Sequence, residues 1–498
     1  MAKILYLVHS LPPEEHTGTP LFAYGYARAM AARGHQVTVV YPSVSTTSWA
    51  LDPARFTGEA FDRVVVPSTS FTGPFWSIEA ASDDRHSSPA STEAFLELLH
   101  VVEPDLVHVV NNVNLPLDFP ELAKAEGIPV VRSVTCAEDL CGLIAPVSPR
   151  SGRRGYCPAP LTPEHCARCV ASVFGEAADG SRAAPRRGSK AGSVHEEREY
   201  RDLVTKLARK RARAAEQYLR VFDRTIFATA AFRHYFEQTI PLDPARVRVI
   251  EMGVDPVPRR ELSPETTSAL SDALPAEEEG SESRPEPVMF CLAATLDPAK
   301  GIDTLVEAFS DPRLGGRDDY RLCLLGGGNE GLVAPLIDAN PNVITVGAYR
   351  PEELPALLSH MHVGLSTSGF ETFHRVTREY LFAGLPVIGS RAFGIPNIIR
   401  PGKNGLLFDS TDPGALVRAV LSLLGDRALL ARLTEGARST PVRSSEEEAD
   451  DLAALYAEVL AEDRAAIQRL GDIRSRHRLP ADIPSAEQLV REDLDSAH

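Results

Sequence analysis

A chain of 498 residues exceeds the usual size of one hydrophobic core, so two domains of about 150 to 250 residues are expected. Apolar residues make up 43% and charged residues 24%, enough to bury substantial cores, which excludes general disorder. The formal net charge of −16 excludes a general nucleic-acid binder and leaves small molecules or neutral surfaces as partners.

The N-terminal MAKILYLVHSLPP carries one lysine and an apolar run broken by His9. That run is too short for a signal-peptide core and far too short to span a bilayer. A cytoplasmic protein without a transmembrane segment is expected, with peripheral membrane contact left open. KILYLV (3–8) reads as a buried strand and HTGTP as a turn-rich loop. The next segment reads as a helix to about Arg33, stopped by Gly34, with VTVVYP resuming as a strand. This is a βαβ unit, which implies a parallel sheet. PDLVHVVN, a helix near Phe119 to Glu126 and IPVVRSVT repeat the pattern of a doubly wound domain.

Regularity is lost from about Cys136 to Gly192, where Pro, Gly, Ser, Arg and four cysteines accumulate. A long helix from about Val194 to Phe222, a strand at RTIFAT and the segment RVRVIEMGVDP close a first domain, 1–262. Residues 263–287 are acidic and poor in large apolar residues, the composition of a flexible linker. VMFCLAAT, YRLCLLGGG, NVITVGAY, VGLSTS, LPVIGS and GLLFD then form six short apolar strands of a second Rossmann-like domain, 288–440. Residues 441–498 read as charged helices that partly pack back on the first domain, with a candidate disordered tail at roughly 483–498.

The segment GLSTSGFETFHRVTREYLFAGLPVIGS, 364–390, carries the chemistry. A strand ends in small polar residues, a loop follows, and Phe373 to Ala383 reads as a helix ended by Gly384 and Pro386. The loop lies at the carboxyl end of a strand, where open α/β sheets bind ligands, and the helix start offers N–H groups to an anion such as phosphate. Glu371 in the loop and Glu379 two turns deeper can face one cleft and accept hydrogen bonds from vicinal hydroxyls. Two solvated surface acids are the alternative.

Glu371, seven residues, Glu379 and the following AGLPVIGS resemble the donor-site signature of retaining family 4 glycosyltransferases of the two-Rossmann-domain, GT-B type. KILYLV with the Gly18 loop, ARGHQVTVV, DLVHVVN, MGVDP, LDPAKG and PGKNGLLFD follow in the family's order over residues 3 to about 425. The resemblance implies two Rossmann-like domains facing across a cleft. It implies transfer of a hexosyl-type sugar, with retention, from a UDP- or GDP-sugar to a sugar, glycoconjugate or small-molecule acceptor. Glu379 would hold the ribose hydroxyls and Glu371 those of the transferred sugar. The backbone at Phe373 and His374 would meet the diphosphate or sugar, and Lys300 would neutralise the departing diphosphate. Gly18 would let a first-domain loop approach the diphosphate, or merely serve its turn. Thr295, Arg375 and Val376 complete the expected donor contacts. A lysine and a helix dipole remove the need for a catalytic metal.

Three sites depart from the family. Ala294 and Thr295 stand where a Gly-Arg pair is usual, which leaves Arg375 and Arg378 as candidate replacements for a bidentate phosphate contact. His374 stands where a glycine is common, and its imidazole can contact sugar or phosphate, carry a proton, or point outward. Thr135 and Cys136 replace a His-Asp pair, so His108, His9 and His16 become candidates for the missing sugar contact.

Cys141, Cys157, Cys166 and Cys169 end in CARC and can complete a tetrahedral thiolate set. A structural zinc is the leading expectation, an iron-sulfur cluster fits the same spacing, and a disulfide pair or free thiols are the alternative. A subset of similar glycosyltransferases has a four-cysteine insertion after the same strand. Cys136 is expected to face the cleft, and Cys291 and Cys323 to be small core residues. Arg150, Arg153, Arg154, Arg182, Arg186, Arg187 and Lys190 would attract an anionic acceptor or simply solvate the loop. A sugar-nucleotide epimerase or hydrolase, and a degenerate non-catalytic relative, are the competing readings.

Overall fold

The computed structural model of the chain describes residues 1–15, 18–43, 45–49, 60–68, 87–141, 156–174, 194–258, 260–273, 286–412 and 414–476. They divide into two compact units. One gathers the described residues of Met1–Ile144, Ala159–Glu251 and Ser445–His498, the other those of Ala145–Pro158 and Met252–Ser444.

The first unit is built on strands β1 (Lys3–Leu7), β2 (Gln36–Ser43), β3 (Asp62–Pro67), β4 (Leu106–Val109), β5 (Val130–Val134), β6 (Phe222–Phe227) and β7 (Val247–Val249), in the order β3-β2-β1-β4-β5-β6-β7. The second carries β8 (Val288–Ala293), β9 (Tyr320–Leu325), β10 (Val343–Gly347), β11 (Val363–Ser366), β12 (Val387–Ser390) and β13 (Gly405–Phe408), in the order β10-β9-β8-β11-β12-β13. Every strand pair is parallel. Each unit is therefore a Rossmann-like α/β sheet, as the alternation of apolar strands and helices predicts.

The described α-helices, in chain order, are α1 (Gly18–Ala32), α2 (Pro89–Val102), α3 (Phe119–Ala125), α4 (Pro163–Phe174), α5 (Val194–Glu216), α6 (Ala230–Glu237), α7 (Pro264–Ala273), α8 (Ile302–Phe309), α9 (Ala334–Ala339), α10 (Leu354–Leu358), α11 (Arg375–Phe382), α12 (Ala415–Gly425), α13 (Arg427–Arg438) and α14 (Ser445–Arg476). Among the described residues no helix is long and apolar enough to cross a membrane.

In the second sheet alternate residues of one strand feed opposite cores, as the two-residue period demands. Val288, Phe290 and Leu292 of β8 pack with Leu322 and Leu324 against Ile302 and Leu305 of α8 and Val417 and Val420 of α12. Met289, Cys291 and Ala293 join Cys323 and Leu325 on the other face, against Leu357 of α10 and Tyr380 and Leu381 of α11. Cys291 and Cys323 are thus small core residues.

Two segments differ from their compositional reading. Pro264–Ala273, within the expected linker, is helical: the Ser263 hydroxyl accepts from the Thr266 N–H at 3.2 Å, the Ser263 N–H donates to Glu353 Oε1 at 2.7 Å, and Leu270 and Thr266 are buried. A cap and a buried side appear here in a stretch whose acidity and lack of large side chains mask them. Residues 274–285 lie outside the described residues. Likewise α4 supplies regular structure inside the irregular 136–192 stretch. The chain end returns to the first unit through α14, where Arg224 meets Glu458 and Glu462 and Tyr456 enters the core.

Candidate functional site

In the second sheet, the chain runs outward from β8 through β9 to β10 on one side and from β11 through β12 to β13 on the other. The loops leaving β8 and β11 diverge, and such a switch point leaves a crevice at the carboxyl ends of the strands. Those two loops carry Lys300 and Glu371. The Lys300 Nζ donates to Glu371 Oε1 at 2.7 Å, although 71 positions separate them. The approach is built into the backbone. The Thr367 hydroxyl donates to the Lys300 carbonyl at 2.8 Å, and Asp297 caps the tight turn before Lys300 by accepting from the Ala299 N–H at 2.8 Å. Gly301 has a φ of 69°, and a Cβ there would collide with the Thr367 carbonyl.

Glu371 is 15% exposed. Burial works to raise its pKa, but the Lys300 charge, the nearby His374 and hydrogen bonds from Lys300 and Ser368 outweigh it, so the carboxyl is held below its ordinary range. Reciprocally, the Glu371 charge raises the Lys300 pKa against burial, with Asp297 adding to it. The site therefore holds an ionised pair at neutral pH. Ser368 is itself fixed, because its carbonyl accepts from the Ser390 hydroxyl at 2.6 Å, and the Glu371 carbonyl accepts from the Gly394 N–H at 2.8 Å.

His374 caps α11 from the left-handed region, φ 65° and ψ 78°, a conformation uncommon for residues other than glycine. Its Nδ1 lies 2.5 Å from the Thr377 hydroxyl and accepts from the Thr377 N–H at 3.3 Å, while the Thr377 hydroxyl lies 3.1 Å from that of Ser366. Burial pushes its pKa down to about 4, opposed by Glu371. The imidazole is neutral above that pH. The helix is seated by Tyr380, whose hydroxyl accepts from the Ala293 N–H at 2.7 Å and donates to the Leu365 carbonyl at 3.3 Å. One buried phenol thus ties α11 to both strands of the switch.

The remaining expected donor contacts divide. Glu379 accepts from Arg375 Nε at 2.7 Å, a pair one helical turn apart. Phe373 is buried, Val376 packs its side chain against the core beneath α11, and Thr295 is exposed in the loop after β8. Gly18 opens α1 in the first unit, where a Cβ would meet nothing within 4 Å. Arg378 is not available to a phosphate: it is 1% exposed, donates to the carbonyls of Phe373 at 2.6 Å and Gly394 at 3.2 Å, and stacks on the Phe373 ring at 3.8 Å. Its guanidinium serves the loop backbone. Sequence reasoning misses Thr367, Ser368, Thr377 and Tyr380; the run of small hydroxyl residues at the end of β11 is the signal that could have found the first two.

In the first unit, His108 is no sugar ligand. It is fully buried, with Nδ1 2.5 Å from the Tyr456 hydroxyl and Nε2 2.8 Å from the Ser133 hydroxyl. His9 lies just beyond the end of β1, and Asn111 follows β4, its side-chain amide donating to the Cys136 sulfur at 3.4 Å. His16 lies outside the described residues.

Among the described residues no group of three or more His, Cys, Asp or Glu side chains is placed to hold a metal ion, so the expected zinc or iron-sulfur centre is not shown. Arg211 of α5 takes the space beside Cys166, donating to its sulfur at 3.0 Å and to the Leu140 and Leu161 carbonyls. Burial raises the Cys166 pKa, with the Arg211 charge and hydrogen bond opposing. The neighbouring basic residues from Arg150 to Arg154 and from Arg182 to Lys190 lie outside the described residues.

Residues 286–426, which span β8 to the end of α12, match the family model described as "Glycosyl transferases group 1". The chain is 32% identical over 190 residues to a D-inositol 3-phosphate glycosyltransferase of Acidothermus cellulolyticus, covering 35% of this chain and 42% of that protein. It is 34% identical over 113 residues to a GDP-mannose-dependent alpha-mannosyltransferase of Corynebacterium glutamicum, covering 23% of this chain and 25% of that protein. The chain thus spans less than half the length of either. Sucrose-phosphate synthase from Thermosynechococcus elongatus is similar in structure, with a TM-score of 0.59 at 17% identity over 93% of this chain and 100% of that one. Anabaena HepE, solved with UDP and glucose, gives 0.57 at 15% identity over 92% and 100%. At such identities the structures speak for the fold.

Proposed function

We propose that this chain, whose residues 286–426 match a family of glycosyl transferases, moves a sugar from a UDP- or GDP-sugar to a hydroxyl of a sugar, glycoconjugate or small-molecule acceptor, with retention of configuration. The Lys300–Glu371 pair at the switch point of the second sheet carries this reading. A departing nucleoside diphosphate gains negative charge, and a lysine already in place offsets that charge without reorganisation. The first N–H groups of α11, at Arg375 and Val376, have no partner within the helix and add to the positive end of its dipole.

Glu371 accepts hydrogen bonds from hydroxyls of the transferred sugar, since its second oxygen stands beside the one Lys300 holds. Glu379 takes the ribose hydroxyls, with Arg375 orienting its carboxylate from one turn away. The ordered motifs from residue 3 to about 425 and the donor named for the mannosyltransferase relative support a nucleotide-sugar donor and retention.

A thermal-shift series with UDP-glucose, GDP-mannose and related nucleotide sugars, followed by product analysis with the shifting donor, tests the reading. A donor that binds only the folded chain raises Tm. Lys300→Met is expected to weaken nucleoside diphosphate binding and Glu371→Gln to lower kcat. Absence of any shift across the series, or rapid epimer formation without acceptor, would overturn the proposal.

A further inference from the structure

His374 presents one oriented N–H group to the crevice. The Thr377 N–H donates to Nδ1, so Nδ1 carries the lone pair and the proton of the neutral ring sits on Nε2. The Thr377 hydroxyl, 2.5 Å from the same nitrogen, reinforces that tautomer by donating to it, and Ser366 can in turn donate to Thr377. The ring is thus held from behind by two donors, and its side chain is only 9% exposed.

The other edge faces the charged pair. Nε2 lies 4.0 Å from Glu371 Oε1, beyond hydrogen-bond reach, and that oxygen already accepts from Lys300 at 2.7 Å. No hydrogen-bond acceptor for Nε2 is seen among the described residues. Nε2 is not among the fully buried unpartnered polar atoms, so its N–H keeps access to solvent and a ligand oxygen can take the place of water there. The ring also sits in a left-handed backbone conformation that disfavours a side chain. Burial holds its pKa at about 4, so the ring stays a neutral donor at working pH.

We propose that His374 Nε2–H is a phosphate-contacting donor, binding an oxygen of the nucleoside diphosphate next to the Lys300 ammonium. The inference rests on the donor-site reading above. It adds a specificity-determining side chain: this contact rewards a diphosphate and is indifferent to the sugar. Thr377 is a positioning residue, since it acts only through the ring.

The test is isothermal titration of the full chain with UDP, GDP, UDP-glucose and GDP-mannose as probes. His374→Gly relieves the left-handed backbone and removes the donor. It is expected to leave the fold intact by circular dichroism and to weaken the preferred nucleoside diphosphate by about tenfold or more. Thr377→Val is expected to weaken the same ligand by a smaller factor, and Thr377→Ser to restore it. Unchanged diphosphate affinity in His374→Gly would overturn the proposal, as would a loss confined to the sugar nucleotides with UDP and GDP unaffected. If the wild-type chain binds none of the four probes, the donor-site reading falls and this inference falls with it. If Lys300→Met loses diphosphate affinity while His374→Gly keeps it, only this inference falls.

Discussion

Gly301→Ala is the sharpest test of how the crevice is built. Gly301 has a φ of 69°, and an alanine in that region costs about 1 to 2 kcal/mol of backbone strain. The added Cβ would fall on the Thr367 carbonyl, so the loops after β8 and β11 must part. Parting breaks the Thr367 to Lys300 hydrogen bond, worth about 1 kcal/mol net. It also loosens the Lys300–Glu371 contact, whose 37% exposed lysine contributes well under its Coulomb energy. The sum is about 3 kcal/mol, which for a unit of this size lowers Tm by roughly 6 to 12 °C. Differential scanning fluorimetry gives the shift, and titration with UDP or GDP gives the accompanying loss of affinity as Lys300 moves. A variant that melts within about 2 °C of wild type and binds equally well would refute the argument that Gly301 sets the loop approach.

Tyr456→Phe removes a hydroxyl 3.0 Å from that of Tyr6 and 2.5 Å from His108 Nδ1, so urea unfolding should show a loss of about 1 to 3 kcal/mol. Arg378→Lys keeps the charge but loses the planar guanidinium whose Nη1 donates to both the Phe373 and Gly394 carbonyls and which stacks on the Phe373 ring, and a fall of about 2 kcal/mol or more in the same assay is expected. Burial, with Arg132 adding, holds His108 down to about 3, and burial likewise holds His374 at about 4. Both rings bind protons more readily unfolded than folded, so stability is full above about pH 6.5 and falls as pH drops from there toward 4, by up to about 1.4 kcal/mol per unit for each ring. Flat unfolding midpoints between pH 6.5 and 4.5 would contradict that linkage.

Much of this molecule is legible in its amino-acid order. Parallel strands buried on both faces read as short apolar runs, so all six strands of the second sheet and the doubly wound class follow from periodicity alone. The spacing of Glu371, Arg375 and Glu379 places two acids on one loop and helix, because helical geometry is local. The family resemblance adds Lys300, which no spacing would choose. What stays hidden depends on partners far along the chain: the meeting of Lys300 with Glu371, the Tyr380 hydroxyl joining β8 to β11, and the Tyr456 hydroxyl that makes His108 structural. The same holds for the surroundings of Arg378 and of the cysteines. Arg378 reads as a phosphate ligand from its place on the helix, yet its guanidinium lies among backbone carbonyls. The cysteines read as a metal centre from their spacing, and the donation of Arg211 to the Cys166 sulfur is a contact that spacing does not reveal. Local sequence decides which groups are present and which face of an element they occupy. Which of them pair and which stay open to a ligand is decided by burial and by contacts over long chain separations, and these exist only once the sheets have formed.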